Sequence, residues 1–439
     1  MRACNGGSGY LSLVHQSSEE GSAPFTRALA TLLTGTVLAQ AIPFLAAPWI
    51  ARLFEPAQFA VFGSVMAIFN VLNVMVTGRY ELALMNPPAR VDAAHLLRGG
   101  LLFTSAAVVV VTFILLLVGR SLLIRTGDAD PGTTGFFVLA LTFCGGVQML
   151  FQQWLLRERV FKAMAQVKVV QAVGITGLTV AFGMLGQARG LEWAYLGGWS
   201  LFAVVTAFAV HRSAPLPGRW QPTRSFALLR KYKEYPLHTV WPALLNSAAS
   251  GAAVIYMGLF FDQGTAGHHN FARQYLLVPI SMFGVALGQV LYERTASAVR
   301  AGRSIARDLR RVIMALLGAA LVACLVISLF GSSLFALVFG ETWREAGRAA
   351  EVLVWGYGAQ LIAGPLSVQL LALGRIKATM VFPVLFAALL ALMPLFDHLP
   401  AMSFMALLSG VEVVAYGAYA ALVWYHVRRY ERGLPYAAT

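Results

Sequence analysis

Twelve stretches of mostly apolar residues recur along the chain, each close to the roughly 20 residues a helix needs to cross the hydrocarbon core of a bilayer. In the first half they run over 28–51, 59–78, 99–118, 134–156, 164–185 and 192–210. In the second half they run over 239–261, 268–291, 312–330, 350–373, 378–396 and 403–425. Of the 439 residues 58% are hydrophobic and only 12% charged, against about 25% charged in an ordinary soluble domain. Too little polar surface remains to clothe a water-facing body, so lipid is the solvent for much of the chain. Backbone amides in hydrocarbon must be satisfied within their own segment, which selects helices. The expected fold class is an all-α, polytopic membrane protein.

A net charge of +14 invites a nucleic-acid reading, but lysine and arginine also collect in the cytoplasmic loops of membrane proteins. With both termini inside, the outer segments hold Arg52, Arg120, Arg125, Arg189, Arg344 and Arg348, and Lys168 and Arg273 fall within spans. Of 33 basic residues, 33 − 6 − 2 leaves 25 inside. An odd number of spans scrambles that asymmetry, so it supports twelve spans, both termini cytoplasmic, an inner membrane and no nucleic-acid partner. The domain reading is a disordered cytoplasmic tail over 1–27, a six-helix lobe over 28–210, a basic cytoplasmic linker over 211–236, a second six-helix lobe over 237–427 and a tail over 428–439. Residues before Ala28 have no apolar core of signal-peptide length. The linker's arginines and lysines hold it inside and attract anionic membrane lipids.

Cys4, Cys144 and Cys324 are odd in number and widely spaced, which gives neither a disulfide framework nor a zinc site. No P-loop, His-Glu-x-x-His pair or nucleophile elbow occurs. The reading is therefore not an enzyme, with no catalytic residue, metal or cofactor.

The two halves resemble copies. Leu53-Phe54-Glu55 is echoed by Phe260-Phe261-Asp262, Tyr80-Glu81 by Tyr292-Glu293, and Arg159 and Lys162 by Arg375 and Lys377. An even number of spans per half keeps the copies in one orientation and predicts a pseudo-twofold along the membrane normal with a cleft between lobes.

Polar side chains within spans turn away from lipid. Asn70, Asn73, Thr77 and Glu81 fall at helical spacing on one face of the second span. Gln148, Gln152 and Arg159 share a face of the fourth, Asn246 and Ser250 of the seventh, and Gln360 and Ser367 of the tenth. Each amide alone serves equally well to glue helices together, but four such stripes predict a hydrated cavity. Arg273, near the outer end of the eighth span, either snorkels outward or faces that cavity. Lys168 sits where it reaches the inner boundary and is, with Glu81 and Glu412, a coupling or gating candidate. Glu412, at mid-span, reads either as a proton-coupling carboxylate or as a protonated carboxyl bonded to a neighbouring helix. Arg79 and Glu81 form a gate contact or mark the interface.

Several segments resemble the polysaccharide-transporter branch of the multidrug/oligosaccharidyl-lipid/polysaccharide (MOP) exporter superfamily, the Wzx-type flippases. These are Ala51 through Pro56 with Phe59 and Gly63, Arg79 through Ala83 leading to Pro87, and Arg157 through Phe161. Tyr235-Pro236 through Asn246 to Arg273, Pro279 and Gly288 follows the family pattern too, as do Phe339 through Gly347 and Gly364 through Ser367. The resemblance spans about 28 to 427. It implies a MATE-like fold and a role in moving an undecaprenyl-diphosphate-linked oligosaccharide to the periplasmic leaflet for O-antigen, capsule or exopolysaccharide assembly. Glycan polymerase and chain-length machinery are the implied downstream partners. It matches Arg273, and secondarily Arg79, to cationic cavity residues. A cation or drug antiporter of the same superfamily, a lipid II flippase and a membrane-embedded glycan polymerase or glycosyltransferase are the alternatives. They call for a deep acid in the first lobe, fourteen spans, or a large external loop, respectively.

Overall fold

The computed structural model describes residues 22–115, 117 and 130–433. The first half comprises α1 (Ser22–Leu53), α2 (Pro56–Val76), α3 (Tyr80–Ala83), α4 (Arg90–Ile114), α5 (Pro131–Arg157), α6 (Phe161–Met184) and α7 (Gly190–Ser213). Two short helices follow, α8 (Pro222–Lys231) and α9 (Glu234–His238). The second half comprises α10 (Val240–Phe260), α11 (Gln263–Arg300), α12 (Ala306–Phe339), α13 (Arg344–Leu366), α14 (Val368–Ala372), α15 (Val381–Ala391) and α16 (Ala401–Arg432). No strand occurs among the described residues. The chain is a multi-pass membrane protein of all-α class.

Ten described segments are long and apolar enough to cross a membrane. The other two expected spans, 268–291 and 350–373, are the long helices α11 and α13. α13 is the less apolar of the two because it carries Glu351 and Gln360, and α11 carries His269, Asn270, Arg273 and Gln274 in its N-terminal half. Their neighbours, rather than lipid, face those groups. Large apolar side chains instead stand exposed on the outside of the bundle, among them Leu337, Met184, Leu329, Val109 and Phe113. That inversion is what a lipid solvent demands.

Helix pairing repeats between the halves. In the first half α1 packs on α6, α4 on α5, α5 on α7 and α6 on α7. The second half matches each in order: α10 on α15, α12 on α13, α13 on α16 and α15 on α16. The halves meet where α2 lies along α10 and α11.

Local signals repeat as well. Glu55 caps α2 in a capping box with Gln58, and Asp262 caps α11 by accepting from the Thr265 backbone at 3.0 Å. Both carboxylates satisfy amides at a positive helix end. After α5, Arg159 takes a left-handed φ of 58° while its amide donates to Leu156 and that of Val160 to Leu155. After α14, Gly374 takes φ 69° while its amide donates to Leu371 and that of Arg375 to Leu370. The same helix-ending motif thus closes equivalent positions. It also removes Arg159 from the helical face expected with Gln148 and Gln152, because α5 stops at Arg157.

Boundaries differ from expectation in three places. Helix is already present from Ser22, within the stretch read as tail, and α16 runs on to Arg432. The linker is not an open loop: α8 docks on α4 through Ser225 and Leu228, with Arg224 paired to Asp92 at 2.6 Å. Around it, Arg98 donates to the Gly218 carbonyl and Trp154 to that of Ala214, both at 2.8 Å. Residues 1–21 of the expected tail, the end of the third span and 434–439 lie outside the described residues.

Candidate central cavity

A cavity of about 700 Å³ lies between the halves, walled by α2 on one side and by α10 and α11 on the other. Asn70, Asn73, Asn246 and Arg273, all expected from sequence, line it, and Arg79 lies at one end. Arg273 therefore faces the cavity, with Nη2 donating to the Ser250 carbonyl at 2.9 Å. That bond and an interaction with the Tyr357 hydroxyl engage part of a guanidinium that carries five donors, on the wall of the cavity. No carboxylate is found among the described lining residues.

The other candidates sort elsewhere. Helix α2 ends at Val76, and a turn follows in which Gly78 and Arg79 both take left-handed φ, 59° and 60°. Thr77 and Glu81 consequently leave the cavity face and are buried beneath it, joined by a Thr77 hydroxyl donating to Glu81 at 2.6 Å. Arg79 Nε stands 3.8 Å from Glu81. Burial pushes the Glu81 carboxyl up, while the Thr77 hydrogen bond and the Arg79 charge pull it down.

Gln148, Gln152 and Lys168 line a separate chamber inside the first half, and Gln360 lines a third pocket between α11 and α13. Glu412 packs against Gly356 of α13, where an added Cβ meets its carboxylate. Its Oε2 is buried without a hydrogen-bond partner among the described residues. The charge acting on it is that of Arg273.

One end of the cavity is shut by rings drawn from both halves. Phe271 stacks on Trp343 with centroids 3.7 Å apart, and Phe59 meets each edge-on at 5.1 Å. Asn270 donates to the Phe59 carbonyl at 2.9 Å, and the Trp343 indole to that of Ala51 at 2.7 Å. Sequence reasoning passed over Asn270 and Gln274, although they sit one helical turn and one residue from Arg273. It also treated Trp343 only as part of a family pattern. The signal for Asn270 was present in the same spacing argument that found Asn70 and Asn73.

The family described as polysaccharide biosynthesis protein matches residues 49–348, more than half of the chain. The chain belongs to that family. The lipid II flippase MurJ in an inward closed conformation is similar in structure, with a TM-score of 0.73 at 10% identity over 90% of this chain and 87% of that one. An inward-facing multidrug resistance MATE family transporter of the MOP superfamily gives a TM-score of 0.65 at 14% identity, covering 92% and 96%. A MOP superfamily transporter from Pyrococcus furiosus, described as having a binding pocket of reverse polarity, gives 0.60 at 13% identity, covering 92% and 96%. No curated protein matches the chain in sequence. At these identities the likeness is one of fold, and this member of the polysaccharide biosynthesis family has the MOP fold.

Proposed function

We propose that the chain flips an undecaprenyl-diphosphate-linked oligosaccharide from the cytoplasmic to the periplasmic leaflet of a bacterial inner membrane, for O-antigen, capsule or exopolysaccharide assembly. The observation that carries this reading is Arg273 on the wall of a polar cavity between two similar halves. A diphosphate and its sugars cannot enter hydrocarbon, because each unsatisfied polar group costs several kcal/mol there. The Arg273 fork suits phosphate oxygens, Asn70, Asn73 and Asn246 suit sugar hydroxyls, and the lipid tail stays in the bilayer. A cavity with arginines and no described carboxylate favours an anion over the cation of a drug antiporter.

With both termini cytoplasmic, the Trp343 end is periplasmic, and the state described is closed on that side. Rocking of the halves then opens it. The Arg79–Glu81 pair gates the cytoplasmic mouth, and Glu412, held under the charge of Arg273, couples the cycle to protons. Lys168 acts on the glycan rather than as a gate. The released product feeds a polymerase and its chain-length partners.

The test is Arg273→Ala in cells, with lipid-linked precursors extracted and their leaflet assigned by an impermeant label. Precursor trapped in the inner leaflet, with partial relief in Arg273→Lys, is the expected result. Normal surface glycan in a stably produced Arg273→Ala protein refutes the role.

A further inference from the structure

Inside the first half, five helices enclose a second chamber of about 470 Å³, lined by residues of α1, α2, α5, α6 and α7. Its polar wall is made of Gln40, Gln148, Gln152, Gln171 and Lys168, with the ring of Trp199 alongside. Met66 and Tyr195 line both this chamber and the central cavity, so only that wall separates the two.

Gln148 and Gln152 hydrogen-bond each other, which fixes their amides and leaves one donor group and one carbonyl for a guest. Gln40 and Gln171 have no partner among the described residues. Lys168 donates to Thr36 Oγ1 at 3.1 Å and joins no described ion pair. An ammonium without a described carboxylate, set among amides with spare hydrogen-bonding capacity at membrane depth, is costly unless something polar occupies the space. Trp199 is steadied by edge contacts with Phe69 at 5.2 Å and Phe202 at 5.9 Å. Amides that match hydroxyls, with a fixed aromatic ring for C–H faces, form a wall suited to a sugar ring. A lysine on the same wall adds a demand for an anionic substituent.

We infer that this chamber receives a carboxylate-bearing sugar, such as a uronic acid, of the transported glycan, with Lys168 on the carboxylate. The inference rests on the flippase reading and narrows its substrate class to acidic glycans. The diphosphate stays at Arg273 while the acidic sugar passes the Met66–Tyr195 wall.

The full-length protein in nanodiscs is titrated with sodium glucuronate, glucose, sodium acetate and sodium chloride. The readout is the fluorescence contributed by Trp199, obtained as the difference from Trp199→Phe. Glucuronate is expected to act at a concentration at least tenfold below glucose, with acetate and chloride inert. Lys168→Met should lose at least tenfold in glucuronate response at an unchanged thermal midpoint, and Lys168→Arg should restore it. Equal responses to glucose and glucuronate, an equal response to acetate, or an unaltered Lys168→Met each overturn the inference. Precursor recovered from Arg273→Ala cells separates the two readings. A trapped precursor with an acidic sugar supports both, a trapped neutral one removes the chamber's role alone, and no trapped precursor removes the flippase reading.

Discussion

The Trp343 indole nitrogen donates to the Ala51 carbonyl at 2.7 Å, tying the turn before α13 to the last turns of α1. Ala51 belongs to one half and Trp343 to the other, so this bond breaks whenever the halves part at that end. Trp343 is fully buried, and its ring stacks on Phe271. The closed end is therefore a latch made of one polar bond within an apolar seal. Alternating access requires such a contact to be strong enough to hold and weak enough to release.

Trp343→Phe keeps an aromatic ring but strands the Ala51 carbonyl, at a cost of about 1–2 kcal/mol to the closed state. That shifts the closed-to-open ratio by roughly 5- to 30-fold. A cysteine placed at Ser250, on the cavity wall, should then react faster with an impermeant thiol reagent added from the Trp343 side. Cys324 is buried and Cys144 only partly so, so the parent protein sets the background. An unchanged labelling rate shows that the latch lies elsewhere.

At Gly267 the halves cross closely: an added Cβ there overlaps the Pro56 carbonyl at the start of α2. Backbone cannot yield as a side-chain tip does, and overpacking costs about 1–3 kcal/mol. Gly267→Ala should lower the thermal midpoint and loosen the same closed end. Gly284→Ala, on the same helix with nothing near its added Cβ, serves as the control and should be near neutral. A normal midpoint for Gly267→Ala indicates that α11 and α2 are not held this closely.

Much of this arrangement was legible in the sequence, and the failures have physical causes. Span positions follow from hydrophobic length, and the repeat was visible in echoes such as Glu55 with Asp262, both of which cap helices. The echo of Arg159 by Arg375 was one residue off, because the left-handed turn equivalent to Arg159 falls at Gly374. Periodicity put Asn70, Asn73 and Asn246 on polar faces that line the cavity, while Arg273, open between snorkelling and the cavity in the sequence, joins them there. It failed at Thr77 and Glu81, since a pattern of threes and fours does not show that α2 stops at Val76 and turns through left-handed Gly78 and Arg79. Gln148, Gln152 and Lys168 were found as polar faces but not as a chamber of their own. A stripe says which way a residue points along one helix and nothing about which neighbours share the space. The Trp343 latch was out of reach because it joins residues far apart in the chain through a backbone carbonyl that no side-chain pattern reports.

Asp262 caps α11, accepting from the Thr265 amide and hydroxyl at 3.0 and 2.5 Å. Those bonds hold its carboxyl below the ordinary value of 3.8. A lowered value means that the ionised cap stabilises the fold above the unfolded value and that this stability is lost as pH falls through the folded one. Asp262→Ala should cost about 1 kcal/mol at neutral pH. Asp262→Asn should keep most of the cap and flatten the thermal midpoint's dependence on pH below about 4. If wild type and Asp262→Asn lose stability in parallel on acidification, other carboxylates dominate.

Glu412 tests whether the second half couples transport to protons. Its Oε2 is sealed against Gly356 with no hydrogen-bond partner, under the charge of Arg273, with the hydroxyls of Tyr357 and Tyr416 in the same electrostatic neighbourhood. A buried acceptor left unmatched costs about 1–3 kcal/mol, a cost that persists in a native fold when the group has another task. Glu412→Gln is nearly isosteric and mimics the protonated carboxyl. It should fold with an unchanged or raised midpoint while Arg273 loses its only described carboxylate neighbour. In proteoliposomes carrying extracted lipid-linked precursor, the wild type should flip faster when a proton gradient is imposed. Glu412→Gln should flip at one rate with or without it. Should the mutant keep the gradient response in full, Glu412 serves packing between α13 and α16, and the coupling group must be sought among the other buried polar residues of α11.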